Sequence, residues 1–513
     1  MNARTALPVV VLSALLGTCA APEGGAVRTG RSKRPNIVYV LADDVGYGDV
    51  GCNGPDGRIP TPRLDRLASE GMRFVDAHSG SAVCTPTRYG VLTGRYAWRS
   101  RLARGVLDGW SVPLIPAERP TVASYLAGIG YRTAMIGKWH LGWNFSRREG
   151  PETAGRTAVD FDGPVTGGPD ANGFGTYYAH SGSLDMAPYV YVEDGRVTAV
   201  PDRVTVGAHP GFWREGPTGA DFEHEDVLPN FVRRARSFIE ESAAGDAPFF
   251  LYLALPAPHT PILPTEAFRG RSGLNAYGDF MVQVDHHVGE ILDALEEAGV
   301  ADDTLVVFTA DNGCAPPARI EELRSMGHDP SAGYRGHKAD IFEGGHRVPF
   351  IARWPERVEA GSVSTATVCL TDLFATLAEV SGVPLPAGAA EDSIGMLPAL
   401  AGEGAARSSI VHHSINGSFA IRRGCWKLIL CPGSGGWSAP RPGPAREDAS
   451  LPLVQLYDLN EDPGETRNLE AERPEVVGAL TELLATQVRE GRSTPGPPAA
   501  NDREVVFLPR PRD

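Results

Sequence analysis

The chain has 513 residues, 42% of them hydrophobic and 22% charged, with a formal net charge of -15. That length is enough for a large core and more than one domain, and that charge excludes non-specific affinity for nucleic acid or an anionic membrane. An anionic substrate must therefore be drawn in by a local cluster of cations.

Residues 1–20 read as an export signal, with Arg4 ahead of an apolar run, Ala6 to Leu16, that is too short to span a bilayer. The expectation is an exported protein, periplasmic or extracellular. Leu16-Gly17-Thr18-Cys19 resembles a bacterial lipobox, so the alternatives are simple secretion and a lipid anchor, with membrane contact only if Cys19 is lipidated. Residues 21–34 are small, polar and basic and suit a linker. Six cysteines follow the signal: Cys52, Cys84, Cys314, Cys369, Cys425 and Cys431. None shows zinc-ligand spacing, and only Cys425 with Cys431 suggests a bridge across a hairpin.

The folded region begins with Asn36–Ala42, a continuous apolar run of the kind buried on both faces of a sheet, which ends at Asp43-Asp44. Thr61-Pro62 caps a helix through Glu70, and Met72–Ala77 reads as a second strand. A helix at Thr121–Ala127 leads to a strand at Arg132–Ile136, ending at Gly137-Lys138-Trp139-His140. The glycine-rich stretch 149–219 lacks sustained periodicity and predicts loops and short strands over a substrate mouth. A helix at Asp226–Ser242 precedes the strand Phe249–Leu255, which runs into Pro258-His259. A helix at Tyr277–Ala298 precedes the strand Thr304–Ala310, which runs into Asp311-Asn312-Gly313. This alternation predicts an α/β fold, a large mostly parallel sheet sandwiched by helices, over residues 35–407. From about Ser408 the texture changes to short β segments and a closing helix, Pro474–Arg489. A smaller carboxyl-terminal antiparallel α+β domain is expected at 408–490, with a loosely ordered tail at 491–513.

Ligands of an open parallel sheet bind outside the carboxyl ends of its strands. Asp43-Asp44, Lys138 with His140, His259 and Asp311-Asn312 each stand within a few residues of such an end. Asp43, Asp44, Asp311 and Asn312 offer only hard oxygen donors, a composition that selects Ca2+ or Mg2+ over zinc or copper. Three crowded carboxylates also repel without a cation among them.

Cys84-Thr85-Pro86-Thr87-Arg88 carries the most information. This composition allows only about 0.05 chance matches to Cys-x-Pro-x-Arg. If Pro86 opens a helix, Arg88 lies one turn beyond Cys84 on the same face, and the helix amino terminus adds partial positive charge where an anion would sit. The pentapeptide resembles the signature of the sulfatase family, in which a separate maturase oxidises this cysteine to formylglycine. Gly137-Lys138-Trp139-His140-Leu141-Gly142, Pro258-His259-Thr260-Pro261, Lys338 ahead of Glu343-Gly344-Gly345, and Leu456-Tyr457-Asp458-Leu459 are similar to further family segments.

The resemblance implies a sulfuric ester hydrolase of the formylglycine-dependent, arylsulfatase-like type. Its nucleophile is Cys84 after conversion. Its cation, usually calcium, is held by Asp43, Asp44, Asp311 and Asn312 and touches residue 84. Arg88, Lys138 and Lys338 then clamp the sulfuryl group, His259 is the general acid with Lys338 assisting, and His140 helps return the aldehyde. The implied partners are the maturase and a sulfated carbohydrate, with 6-sulfated galactose or N-acetylgalactosamine as the expected substrate class. His180, Asp185, Glu223, His224, His412 and His413 are further polar residues with either sugar-contact or packing roles. The alternatives are a phosphoesterase or phosphonate hydrolase of the same superfamily and a non-catalytic glycan-binding relative.

Overall fold

The computed structural model describes residues 1, 34–54, 57–148, 158–208, 211–404, 407–441 and 451–508. The expected signal, the linker and Cys19 lie outside the described residues apart from Met1 and Arg34. Everything below concerns the unit Pro35–Asp513. Among the described residues no helix is long and apolar enough to cross a membrane.

The apolar runs form a ten-stranded mixed sheet. In chain order its strands are β1 (Asn36–Ala42), β2 (Met72–Phe74), β3 (Arg132–Lys138), β4 (Thr176–His180), β5 (Val192–Glu193), β6 (Arg196–Val197), β7 (Phe249–Ala254), β8 (Thr304–Ala310), β9 (Phe350–Arg353) and β10 (Ser362–Ser364). The spatial order is β10-β2-β9-β8-β1-β7-β3-β4-β5-β6. β8, β1, β7, β3 and β4 are parallel neighbours, while β9 and β5 enter antiparallel. β7 and β8 are buried at every residue because each has a strand on both sides and helices over its faces. Leu41 lies in register with Ala254 and Thr309, so the chain leaves β1, β7 and β8 at one edge.

Helices α1 (Pro62–Glu70), α2 (Cys84–Thr93), α3 (Val122–Gly128), α4 (Val227–Ala243) and α5 (Ala276–Glu297) cover the sheet. α4 buries Leu228, Phe231, Val232, Ala235, Phe238 and Ile239 at helical spacing, so one stripe meets the sheet and the other meets water. The stretch 149–219 holds more regular structure than its pattern suggests. β4 is a buried strand of the main sheet, parallel to β3, and Pro201–Gly207 pairs with Trp213–Gly219 as a separate ribbon. A five-residue strand flanked by glycine gives little periodicity to read, and its place is decided by β3 beside it.

A small antiparallel sheet follows, β11 (Ile410–His413), β12 (Phe419–Arg423), β13 (Trp426–Ile429) and β14 (Gln455–Asp458), backed by α6 (Pro474–Arg489). Leu480 and Leu484 of α6 share a core with Ile410, Ile421, Leu428 and Leu456. The tail, read from the sequence as loose, is tied down to Asp502. Arg95 bonds the Ala500 carbonyl and the Asp502 carboxylate, and Arg99 reaches Asn501. Two buried arginines that need acceptors supply the order that composition did not suggest. The six described cysteines are free, Cys425 and Cys431 included.

Candidate active site

The site lies at the carboxyl edge of β1, β7, β3 and β8. α2 begins two residues earlier than Pro86 suggests: Val83 is extended and Cys84 is the first helical residue. Pro86 then falls in the first turn, where its missing N–H leaves no bond unmade. All ten residues of α2 are buried. Burial pushes the Cys84 thiol up against the pull of Lys138 and Lys338, so the unmodified side chain is a neutral thiol.

Three carboxylates and three cations interlock around it. Lys138 Nζ lies 2.6 Å from Asp43 Oδ2, and Lys338 Nζ lies 2.5 Å from Asp44 Oδ1. Arg88 donates to Asp311 Oδ2 through Nε at 3.1 Å and Nη2 at 2.7 Å, and to the Lys138 carbonyl at 3.0 Å. Asn312 Nδ2 donates to Asp44 Oδ1 at 2.8 Å. The cation that three crowded carboxylates demand is thus supplied first by the protein's own side chains. Burial raises Asp43, but Lys138, His259 and Arg88 outweigh it and hold the carboxyl well below the usual range. Burial and Asp43 push Asp311 to about 6 despite Arg88. Burial opposes the charge of Lys338, yet Asp44 keeps it raised.

The histidines divide. His140 meets the Leu107 carbonyl through Nε2 at 2.7 Å, which makes Nε2 the donor and leaves buried Nδ1 without a partner and free to accept. Burial and Lys138 hold it well below an ordinary histidine. His259 donates Nδ1–H to the Thr260 carbonyl at 2.6 Å, so its open Nε2 faces Asp44 Oδ2 at 3.7 Å. Burial, then Lys338, lowers it, and resting His259 is neutral.

The backbone is strained where the chemistry gathers: Asp44 (φ 67), His140 (φ 53) and Ala339 (φ 80), next to Lys338, are left-handed without being glycine. Gly137 (φ 118) is one residue from Lys138. A Cβ there would stand 1.9 Å from the Ala254 carbonyl oxygen, so only glycine lets β3 turn outward to deliver Lys138.

The donor set fits a hard divalent cation. Asp43 Oδ1 and Asn312 Oδ1 are buried without a hydrogen-bond partner, and an acceptor oxygen in that state needs a cation or a donor. Ligand atoms of Asp43, Cys84 and Asp311 lie within 4.8 Å of one another, as do those of Asp43, Asp44 and His259.

The sulfatase family model matches residues 35–383. The chain belongs to the sulfatase family. It is 34% identical to an N-acetylgalactosamine-6-O-sulfatase of Bacteroides thetaiotaomicron over 88% of this chain and 93% of that one. Human arylsulfatase A is 33% identical over 88% of this chain and 87% of its own. A solved structure from work on glycosaminoglycan metabolism by Bacteroides thetaiotaomicron superposes with a TM-score of 0.76 at 33% identity, covering 89% of this chain and 99% of that one. This sulfatase is therefore a sulfuric ester hydrolase by family, built on the family's fold.

Other polar residues of the sulfatase take structural work. His180 is buried between the Ser183 and Val190 carbonyls, His413 meets the Ala103 carbonyl, Glu223 pairs with Arg203, and Asp185 pairs with Arg214. Reading the sequence missed the residues that orient the site. Thr85 Oγ1 accepts from the Leu107 amide at 3.1 Å, which sets the carbonyl holding His140. Tyr277 OH lies 2.9 Å from the Asp44 carbonyl and 2.5 Å from Asp49 Oδ2. Tyr277 stands in the first turn of α5, 233 positions away from Asp44, and no local pattern marks such a contact.

Proposed function

We propose that this sulfatase releases sulfate from a sulfated glycan, with 6-sulfated galactose or N-acetylgalactosamine as the sugar, after Cys84 has been oxidised to formylglycine. One observation supports this most: Cys84, three carboxylates and three cations meet at one strand edge with Asp43 Oδ1 and Asn312 Oδ1 open, in a chain 34% identical to an N-acetylgalactosamine-6-O-sulfatase. Export to the periplasm or cell exterior, where such glycans are met, is part of the same reading.

Hydrated formylglycine supplies two hydroxyls on one carbon, one to displace the alcohol at sulfur and one whose deprotonation expels the sulfate and restores the aldehyde. Asp43, Asp44, Asp311 and Asn312 would hold calcium or magnesium, which supplies Lewis acidity and orientation. Arg88, Lys138 and Lys338 are the electrostatic frame. They pair with the three carboxylates as a neutral set, and with a divalent ion held by those carboxylates the two lysines would be available to the sulfuryl oxygens. His140 takes a proton through its open Nδ1. His259 presents Nε2 toward the leaving oxygen. It is neutral at rest, so an arriving anion must raise it before it can give a proton to the departing alcohol.

The test is a mass spectrum of the Cys84 peptide after expression with a formylglycine-forming maturase, together with turnover of defined sulfated sugars. Conversion of Cys84 is expected, with 6-sulfated galactosides or N-acetylgalactosaminides as substrates. Cys84→Ala should fold normally and lose at least ~1,000-fold in kcat. Full turnover with unmodified Cys84 would overturn the nucleophile, and preference for a phosphate ester would favour a phosphoesterase.

A further inference from the structure

Trp437 is the exposed tryptophan of the eight in this chain, at 36% of its surface. Trp98, Trp139, Trp143 and Trp354 are buried, and Trp110, Trp213 and Trp426 pack on a hydrophobic core. The Trp437 indole joins none of the three cores of described residues. Just over a third of its surface is open, so part of one large aromatic ring remains available for contact.

Its backbone, by contrast, is held firmly. Asp340 is fully buried and accepts from the amides of Trp437 at 2.7 Å and Ser438 at 3.0 Å, and from the His337 amide at 2.9 Å. The Ile341 amide donates to the Ser434 carbonyl at 2.8 Å. Gly436 presses on the same segment, where a Cβ would stand 2.4 Å from the Ala339 carbonyl oxygen. Ala339, strained and adjacent to Lys338, donates to the Ala82 carbonyl at 2.8 Å, two residues before Cys84. The loop 434–438 of the small domain is thus laid onto the segment that delivers Lys338, and Asp340 ties the two together.

We propose that Trp437 is a stacking platform for a pyranose ring of the substrate. A pyranose presents a face of C–H groups that packs on a flat apolar ring, and an indole on a fixed backbone loses little entropy in meeting it. The position suits this because Asp340 joins the loop to Lys338, the side chain expected at the sulfuryl group. The proposal rests on the reading that the substrate is a sulfated glycan.

The experiment compares matured wild type, Trp437→Ala and Trp437→Phe on a sulfated disaccharide, with thermal unfolding of each. Trp437→Ala should raise KM ~10-fold with kcat within ~3-fold of wild type, and Trp437→Phe should recover most of the loss. Trp437→Phe should unfold at the wild-type temperature, since among the described residues the ring belongs to no hydrophobic core. An unchanged KM for Trp437→Ala on a substrate the wild type turns over would overturn the platform alone, and would leave the ring for a protein partner. Loss of kcat without a KM change would overturn it too. Failure of the wild type on every sulfated sugar would instead overturn the glycan reading.

Discussion

Two charge clusters, each of three carboxylates and three cations, sit largely buried in this sulfatase and do different things. At the strand edge, Asp43, Asp44 and Asp311 face Arg88, Lys138 and Lys338. At the junction of the two sheets, Asp76, Glu343 and Glu465 face Arg347, Arg422 and Lys427. There Lys427 lies 3.0 Å from Glu343 and 2.8 Å from Glu465, and Arg347 and Arg422 close on Asp76 at 2.8 and 2.7 Å. The junction also holds His78, His346 and His412, which with Glu343 have the composition of a metal site. The lone pairs of His78 and His346 are already spent, and His412 Nε2 alone of the three rings keeps an open position. His78 and His346 share Nδ1 to Nδ1 at 3.1 Å, Lys427 lies 3.0 Å from His346 Nε2, and His346 stacks on His412 at 3.6 Å and 11°. Two parallel rings at that spacing have no point lying in both ring planes, where an ion would have to sit. The strand-edge cluster instead keeps Asp43 Oδ1 and Asn312 Oδ1 open beside a left-handed Asp44. Matched buried charge therefore does not mark a site; a pair of unspent oxygens at a strained strand end does.

The comparison breaks first on metal. Chelation, or Asp311→Ala, is expected to abolish turnover, with calcium or magnesium restoring the chelated wild type and leaving Asp311→Ala inactive. Zinc as the ion that restores activity would count against the oxygen-ligand assignment. Inactivation by His412→Phe to the same degree would make the junction a second functional centre.

A smaller effect separates the two lysines. Lys138→Met should lower kcat/KM on a sulfated sugar ~100-fold or more, because it removes a charge complementary to the transition state. Lys427→Met should act on folding instead, costing about 3–5 kcal/mol by leaving Glu343 and Glu465 buried around a missing cation. Urea unfolding and kinetics on the same preparations check both. A kinetic loss of the Lys138 size in folded Lys427→Met would erase the distinction.

The smallest effect is a slope in pH. Burial above all keeps His346 and His412 well below the ordinary 6.5, and His78 below it too, so all three stay neutral in the fold. The unfolded chain takes up those protons below about pH 6.5, so stability is whole above that value and falls as pH drops beneath it. His412→Phe keeps a ring in the stack and removes one of the three titrations. Between pH 6.5 and 5.5 it should lose about 1 kcal/mol less than wild type in urea unfolding. An unchanged slope would mean that His412 is charged in the native protein.

Much of this was legible in residue order. β1, β7 and β8 announce themselves as unbroken apolar runs, and Asp43-Asp44, His259 and Asp311-Asn312 follow those runs directly, so the parallel sheet and its chemical edge follow from local pattern. Cys84 and Arg88 are four residues apart on one helix, and their shared face needs no tertiary information. What residue order could not decide is which charges meet. Lys338 reaches Asp44 across 294 positions and Lys427 reaches Glu343 across 84, and both lysines look alike as single residues. β4, the ordered tail, the Asp340 tie to Trp437 and the spent valences of His78 and His346 belong to the same class. Helix and strand periodicity is a property of neighbours in sequence, whereas the pairing of buried charges depends on which distant segments the fold presses together with water excluded. Only there does a bond made or left open cost enough free energy to separate structure from site.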